Sequence, residues 1–518
     1  MKAVWIRRGC AGVAVAVMLG LAACAPDRVN GWRPTAWPAS FAVVTDPPQP
    51  LDAAAVAGLD PQRLRNDEVG VQARYTRVFG QGALNDRIEG MVREAIAGRV
   101  AASGVAYRPM AFDEDAGMAD RSCRRGSTLL PAAELLADPT LGPAGGGGTA
   151  VTCDIIAAVG TYIGQRVRVV RSDGADTSLV LYADVATGGV VGAAELWQAG
   201  AAILLWDDVV EALRRNAGAL SLVPIADPSP DQAALIESAL AGTLVAADGS
   251  LVLTIGPGFV APELGALGLP ASTVPLTVAV PPASLGTLAS VFGAGISAAA
   301  AAAVPFAAPA AVPVGIDRVD CGLVPCVALT FDDGPSALTP QLLDTLRDSR
   351  AAATFYVLGR SAQSSPDPVR RAAAEGHDIG VHTWDHPHLP ELDAAAVARQ
   401  IGSTRDLLRR LTDQPVATFR PPYGEYNAQT LAAAGLPAIL WSIDTRDWAG
   451  PSTESILIQG VERPRPGGIV LFHDTQRATV ELAPQIIAGL HDRGFTAVTI
   501  TQLFGGSPPT GGAWRSAP

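Results

Sequence analysis

The chain has 518 residues, which is longer than one ordinary domain, and a formal net charge of -12. The acidic balance, with no basic cluster or stripe in the sequence, argues against nucleic acid as a partner. Hydrophobic residues make up 48% of the chain but aromatic residues only 5%, and much of the apolar content is alanine. The positive mean hydropathy therefore does not indicate a membrane protein.

The first residues have the pattern of an export signal. A basic segment precedes the apolar stretch 11–23, which is shorter than the roughly 20 residues that span a bilayer. The sequence Leu21-Ala22-Ala23-Cys24 resembles a bacterial lipobox, in which the cysteine is lipidated and becomes the mature N-terminus. We predict a lipoprotein signal peptide over residues 1–23 and anchoring at Cys24 to the outer side of the cell membrane. An ordinary signal peptide is the alternative.

The cysteines beyond this segment predict disulfides. Two of the six cysteines fall within the first 24 residues, so an even number remains in the exported chain, where disulfides are permitted. A bond between Cys321 and Cys326 would close a short loop, and one between Cys123 and Cys153 would span a glycine-rich stretch. A zinc site formed by the four remaining cysteines is the alternative, but no two of them have the C-x-x-C spacing that is typical of such sites.

The N-terminal half predicts a separate domain. Residues 24–63 are predicted to be an anchor and tether, residues 64–296 an accessory α+β domain, and the alanine- and proline-rich residues 297–317 a linker. Within the accessory domain, strands are expected at 149–159, 162–171, 178–184 and 251–255, and helices at 85–100, 201–216 and 231–241.

From residue 318 onward, short apolar runs alternate with amphipathic stretches. The runs are 327–331, 353–358, 378–381, 418–420, 438–442, 468–472 and 496–500. The expected helices are 340–348, 368–375, 394–411, 427–434, 453–460 and 483–493. This alternation predicts an α/β domain over 318–505, with a parallel sheet that is open or closed as a barrel. Residues 506–518 are rich in glycine and proline and are predicted to be a disordered tail.

Acidic and imidazole side chains follow these runs. Asp332 and Asp333 close one predicted strand, and His382 and His386 follow another. In a parallel barrel the carboxyl ends of the strands meet on one face. Two imidazoles and one carboxylate can bind a metal, which leaves the second carboxylate as a base, and this is the layout of a metal hydrolase. Three more polar residues lie at or just after predicted strand ends: Arg420, Asp444 and His473.

Five motifs occur in order along this region: Thr330-Phe-Asp-Asp-Gly-Pro335, His382-Thr-Trp-Asp-His386, Arg420-Pro-Pro-Tyr-Gly424, Asp444-Thr-Arg-Asp-Trp448 and Leu471-Phe-His473. Together they resemble the polysaccharide deacetylase domain of the NodB-homology type, carbohydrate esterase family 4. The resemblance covers about a third of the chain, residues 327–504. It implies a distorted (β/α) barrel that removes acetyl groups from sugars with one divalent metal ion. Zinc is expected, with cobalt, nickel or manganese as alternatives.

The resemblance implies that Asp333, His382 and His386 bind the metal. A zincin site is not expected, because Thr383 stands where that motif needs a glutamate. His388 lies two residues beyond His386 and could compete as a ligand, but we expect it to lie in the groove or on the surface.

The same resemblance implies roles for the other motif residues. Asp332 is implied as the catalytic base, oriented by Arg420, and His473 as the general acid, with its pKa raised by Asp447. The backbone N–H of Tyr423 is implied as the oxyanion donor. The substrate pocket is implied to be lined by Pro422, Trp448 and Leu471. For Trp448 and Leu471, packing in the hydrophobic core is the alternative.

The region before residue 297 loosely resembles the α/β domain in front of the catalytic domain of some cell-wall deacetylases and in RsiV-type anti-sigma factors. This resemblance rests on Gly188-Gly189, residues 249–260 and residues 273–280. We expect a spacer or a module that contacts the cell wall.

The function expected from the sequence is N-deacetylation of an envelope glycan, first of all the N-acetylglucosamine of peptidoglycan, by a lipid-anchored monomer without a protein partner. One alternative is an O-deacetylase that acts on acetylxylan or another acetylated polymer. An alternative of another class is a non-catalytic lipoprotein that binds or senses glycan.

Overall fold

The computed structural model describes residues 42–217, 225–266, 268 and 271–518. The predicted signal peptide and the predicted lipidation site at Cys24 lie outside the described residues. Among the helices of the described part, none combines the length and the apolar character that a membrane span needs.

Two sheets build the N-terminal half. The strands are β1 (Val43–Val44), β2 (Leu59–Asn66), β3 (Val71–Val78), β4 (Thr149–Val159), β5 (Tyr162–Arg171), β6 (Asp176–Asp184), β7 (Gly189–Gly192), β8 (Leu244–Val245), β9 (Leu251–Ile255) and β10 (Leu276–Val280). The helices are α1 (Gly82–Ser103), α2 (Ala132–Ala137), α3 (Ala201–Asn216), α4 (Pro230–Leu240), α5 (Pro262–Ala266), α6 (Pro282–Leu285) and α7 (Val291–Ala301). One sheet has the order β2-β3-β4-β5-β6-β7 and the other the order β1-β10-β9-β8. The predicted α+β architecture is confirmed.

The C-terminal half alternates strands and helices. Its strands are β11 (Cys326–Asp332), β12 (Thr354–Val357), β13 (Asp378–Val381), β14 (Ala438–Ile439), β15 (Ile443–Asp444), β16 (Gly468–His473), β17 (Thr496–Val498) and β18 (Ala513–Trp514). Its helices are α8 (Thr339–Asp348), α9 (Gly359–Ser364), α10 (Pro366–Ala374), α11 (Ala394–Thr412), α12 (Ala428–Ala434), α13 (Thr453–Leu457), α14 (Arg477–Asp492) and α15 (Ile500–Leu503).

The parallel sheet curls into a distorted barrel. Its strand order is β13-β12-β11-β16-β15, and β17 pairs with the first half of β11. Phe419 continues the sheet beyond β13 through single parallel bridges to Val381 and Ala438. A full strand predicted at 418–420 is therefore wrong, because Pro421 and Pro422 follow and proline has no N–H to donate to a neighbouring strand. The predicted parallel α/β architecture is confirmed.

The accessory domain packs against the N-terminal ends of the barrel strands. One hydrophobic cluster joins Cys153 and Ile155 of β4 to Leu323 and Val324, which precede β11. A hydrogen bond lies at the same end: the hydroxyl of Tyr107 donates to the Leu323 carbonyl at 2.6 Å. These contacts are at the opposite end of β11 from the acidic pair that closes it.

Three segment predictions need correction. The tether does not extend to residue 63, because β2 begins at Leu59 and pairs with β3 along its length. Residues 297–301 are not linker but the end of α7, and Ile296 and Ala300 of this helix are buried. The helix extends this far because alanine favours helix and Pro305 lies beyond the helix end. The C-terminal tail is ordered at β18, which pairs with β14 and satisfies an otherwise open sheet edge.

Both predicted disulfides are present. The Cα atoms of Cys123 and Cys153 are 5.2 Å apart, and those of Cys321 and Cys326 are 5.4 Å apart. The first bond fixes the segment before residue 123 to β4, and the second closes the loop that leads into β11.

Candidate active site

The two aspartates at the end of β11 face one site because the backbone turns between them. Asp333 has a left-handed backbone with φ of 73°, an uncommon conformation for a residue with a side chain. As a result the Nε2 of His382 lies 3.7 Å from Oδ2 of Asp332 and 3.5 Å from Oδ1 of Asp333. Asp332 is only 2% exposed, whereas Asp333 is partly open to solvent.

The two histidines present their Nε2 atoms to Asp333. His382 follows β13, and its Nδ1 donates to the Arg420 carbonyl at 2.8 Å, which leaves the Nε2 lone pair directed to the site. The Nε2 of His386 lies 3.5 Å from Oδ1 of Asp333. The loop between them is held by the His386 N–H, which donates to the Thr383 hydroxyl at 3.0 Å.

This cluster fits a metal ion. One ligand atom from each of Asp333, His382 and His386 lies within 4.8 Å of the others. Oδ1 of Asp333 is buried and has no hydrogen-bond partner among the described residues. Burial raises the pKa of Asp333, but the adjacent imidazoles of His382, His473 and His386 outweigh burial and lower the pKa to about 2. Burial and the neighbouring His382 lower the pKa of His386. An anionic carboxylate and neutral imidazole are the forms that bind metals.

Arg420 is fully buried and binds the other aspartate. Its Nη1 donates to Oδ1 of Asp332 at 2.9 Å and to the hydroxyl of Thr330 at 2.7 Å. Its Nε and Nη2 donate to the carbonyls of Ile439 and Leu440, each at 2.9 Å. The guanidinium is therefore fixed on several sides, and it holds the Asp332 carboxylate in one orientation.

His473 lies at the end of β16 and is oriented by Asp447. Nδ1 of His473 donates to Oδ1 of Asp447 at 2.7 Å. Oδ2 of Asp447 accepts from the backbone N–H of His473 at 2.8 Å and from the Thr479 hydroxyl at 2.6 Å. Burial lowers the pKa of His473, but the bond to Asp447 and nearby carboxylates outweigh it and raise the pKa to about 9. The Nε2 of His473 points to the cluster, 4.0 Å from Oδ2 of Asp333.

The predicted oxyanion donor and pocket residues adjoin residues of this site along the chain. Tyr423 has a left-handed backbone with φ of 59° and ψ of 4°, and its side chain is exposed. Pro422 and Leu471 are buried, whereas Trp448 is 54% exposed in the turn that begins at Asp447. The exposure of Trp448 argues against simple core packing for that residue, but its part in a pocket stays a prediction.

The sequence reasoning missed Asp474. Its carboxylate is buried, accepts a hydrogen bond from the Thr339 hydroxyl, and has its pKa raised to about 7 by burial. A Cβ atom on Gly334 would come within 2.2 Å of Oδ2 of Asp474, so only glycine fits at that position. Asp474 therefore packs against the turn after Asp333. The sequence offered one indication of this residue, because Asp474 directly follows His473 at a strand end.

Comparisons with known proteins agree with this geometry. Residues 321–437 match the family model for polysaccharide deacetylases. A chitooligosaccharide deacetylase from Rhizobium leguminosarum bv. trifolii is 39% identical over 194 residues, a match that covers 34% of this chain and 90% of that protein. The chain belongs to the polysaccharide deacetylase family.

Two other relatives of this chain are named for peptidoglycan. The peptidoglycan-N-acetylglucosamine deacetylase PgdA of Listeria monocytogenes is 41% identical over 184 residues, which are 35% of this chain and 39% of that protein. The peptidoglycan-N-acetylmuramic acid deacetylase PdaC of Bacillus subtilis is 35% identical over 178 residues, which are 34% of this chain and 38% of that protein. The chain thus spans well under half the length of these two relatives.

Proposed function

We propose that the chain is a metal-dependent hydrolase that removes N-acetyl groups from an envelope glycan, first of all from the N-acetylglucosamine of peptidoglycan. One observation carries the proposal: the Asp333, His382 and His386 cluster lies between the Asp332–Arg420 pair and the His473–Asp447 pair. A ligand set, a base and an acid thus meet at the carboxyl ends of the strands.

Asp333, His382 and His386 would hold the metal, and the donor set suits zinc, with cobalt, nickel or manganese as alternatives. When bound, a divalent cation supplies Lewis acidity that polarises the acetyl carbonyl and makes water a better nucleophile. The orphaned Oδ1 of Asp333 supports this assignment.

Asp332 accepts the proton that the attacking water loses as the new C–O bond forms. Arg420 keeps the carboxylate in place during this step, because the guanidinium is itself fixed by two backbone carbonyls. The backbone N–H of Tyr423 donates to the oxyanion that develops on the acetyl carbonyl oxygen. The left-handed backbone at Tyr423 supports such a role, since strained residues cluster at functional sites.

His473 donates its proton to the glycan nitrogen as the C–N bond breaks, so acetate and a free amine leave. The raised pKa of about 9 supports this role, because His473 must carry the proton when the substrate binds. Asp447 orients the ring so that Nδ1 faces Asp447 and Nε2 faces the site. Pro422, Trp448 and Leu471 line the space for the acetyl methyl group.

The substrate proposal rests on the relatives and on the predicted export signal. The three relatives are named for glucosamine, muramic acid and chitooligosaccharide substrates, all of which carry N-acetyl groups. A lipid anchor at Cys24 would keep the enzyme at the outer face of the cell membrane, within reach of the wall. Detergent-phase partitioning of the wild type compared with Cys24→Ser tests the anchor, and loss of partitioning in the variant is expected.

The substrate experiment compares acetate release from peptidoglycan, chitooligosaccharide and acetylated xylan, with zinc supplied. We expect release from the two N-acetylated glycans to exceed release from acetylated xylan. Faster release from xylan would favour an O-deacetylase. Binding of glycan without any acetate release would favour the non-catalytic alternative.

A further inference from the structure

A glutamine on α11 ties this helix to the loop that carries both proposed imidazole ligands. This ligand loop, residues 382–386, follows the end of β13. Oε1 of Gln400 accepts from the backbone N–H of Trp384 at 2.7 Å and from that of Asp385 at 3.4 Å. Nε2 of Gln400 donates to Oδ1 of Asp385 at 2.6 Å. One side chain thus makes three hydrogen bonds to the middle of the loop, between the two ligands.

The backbone of the ligand loop is strained. Thr383 and His386 both have left-handed backbones, with φ of 67° and 68°. Each of these conformations costs free energy, because both residues carry a side chain. Strained residues persist only where the surrounding structure holds them. Contacts from outside the loop therefore decide where the His386 side chain lies.

The first turn of α9 holds one part of the loop. The N–H of Gly359 donates to the Thr383 carbonyl and the N–H of Arg360 to the Trp384 carbonyl, each at 3.0 Å. A Cβ atom on Gly359 would lie 2.4 Å from Cε3 of Trp384, so the indole packs directly on this backbone. Gln400 reaches one residue further along the loop, because it also bonds Asp385, which directly precedes His386.

The two imidazoles are held in different ways. Nδ1 of His382 is bonded to the Arg420 carbonyl, which fixes that ring directly. The His386 ring contacts Oδ1 of Asp333 and the ring of His382, whose centroid is 5.0 Å away, and both of these groups belong to the proposed ligand set. The position of His386 thus depends on the loop backbone, which Gln400 fixes one residue earlier.

We propose that Gln400 is a positioning residue for the metal site, which holds His386 in place through Asp385 and so strengthens metal binding. The inference rests on the metal site of the proposed function and adds a residue outside the five sequence motifs. It also gives a role to Asp385, which lies within one of these motifs.

The affinity of metal-stripped protein for zinc tests this role, with a chromophoric zinc chelator as the competitor. Gln400→Leu should raise the Kd for zinc about 10- to 100-fold, the typical effect of removing a group that orients a metal ligand. The matched control is Gln414→Leu. Oε1 of Gln414 accepts from the Ile379 N–H at 3.1 Å, and its Nε2 donates to the His377 carbonyl at 2.8 Å, near the start of β13.

The control should lose stability without losing zinc. Each leucine variant removes amide hydrogen bonds to the backbone, so urea denaturation should show lower stability in both. The Kd for zinc should rise only in Gln400→Leu. An unchanged Kd in that variant would overturn the inference. An equal rise in both variants would overturn it as well, because it would show that general loss of stability weakens the site.

An exchange of charge between two positions supplies a rescue. Gln400→Glu keeps the oxygen that accepts the two N–H groups but places a second carboxylate against Asp385, so the Kd for zinc should rise about tenfold. Adding Asp385→Asn restores the hydrogen bond, from the new amide to the new carboxylate, and restores the net charge of the wild type. The Kd should then return to that of the wild type. A double variant that binds zinc no better than Gln400→Glu would contradict the proposed role.

Zinc binding needs no turnover, which separates this inference from the proposed function. A wild type that binds zinc but releases no acetate from any glycan would mark failure of the proposed function alone. A wild type that binds no zinc would overturn the inference together with the proposed metal site.

Discussion

Asp332 and Asp333 are adjacent in the chain, yet their carboxylates approach the same atom, Nε2 of His382, at 3.7 and 3.5 Å. The left-handed backbone at Asp333 makes this possible. The two environments differ, since Asp332 is bound by Arg420 and Asp333 faces the imidazoles. The two residues are therefore not interchangeable.

This difference predicts separate effects for two matched substitutions. Asp333→Asn should lose bound zinc and activity together, because it removes an anionic ligand. Asp332→Asn should keep zinc but lower kcat by about 100-fold or more, the usual contribution of a general base. Elemental analysis of purified protein and acetate release measure the two quantities. Zinc retained by the first variant, or lost by the second, would contradict these roles.

Removing the buried arginine should destabilise the barrel. Arg420→Gln leaves the Asp332 carboxylate buried without its ion-pair partner, which typically costs 3–5 kcal/mol, so about 3 kcal/mol of unfolding free energy should be lost. Urea denaturation measures the change. The matched control is Arg370→Gln, whose exposed pair with Asp367 should change the unfolding free energy by less than about 1 kcal/mol. Equal losses in both variants would contradict the prediction.

The pH profile should report the His473–Asp447 pair. A general acid must be protonated, so activity should fall as pH rises through the pKa of His473, which is about 9. Asp447→Asn removes a charge that raises this pKa, so the alkaline limb of kcat/KM should move to lower pH. An alkaline limb that stays in place in the variant would show that another group controls it.

Contacts at the far end of the barrel should affect stability but not catalysis. Nη2 of Arg121 donates to the Phe495 carbonyl at 2.6 Å, directly before β17. Arg121→Met should therefore lower the unfolding free energy by about 2 kcal/mol, the contribution of a hydrogen bond from a charged group. Its kcat/KM should stay within about twofold of the wild type, because the site lies at the opposite strand ends. A large loss of kcat/KM without loss of stability would contradict this separation.

The sequence was sufficient to predict those parts of the barrel and of the site for which local patterns and motifs agreed. Strand β13 and helix α3 have the predicted bounds, because apolar periodicity and turn residues mark them clearly. Asp333, His382 and His386 were predicted as metal ligands because they match the motifs of the family that the sequence resembles, and they do lie together.

Elsewhere tertiary contacts decided the structure. Residues 513–514 read as a flexible tail, but they pair with β14, a partner distant in sequence. The stack of His388 on Tyr423 joins two loops whose relative positions no local pattern encodes. Asp474 was missed because its neighbours, Thr339 and Gly334, reach it only in the folded barrel.

Acetate release from peptidoglycan by metal-stripped protein, before and after zinc is added back, tests the central proposal most directly. The wild type should regain activity with about one zinc per chain, and Asp333→Ala should release no acetate above background at the same zinc concentration. Acetate release by Asp333→Ala equal to that of the wild type would contradict the proposal that this cluster is the catalytic metal site.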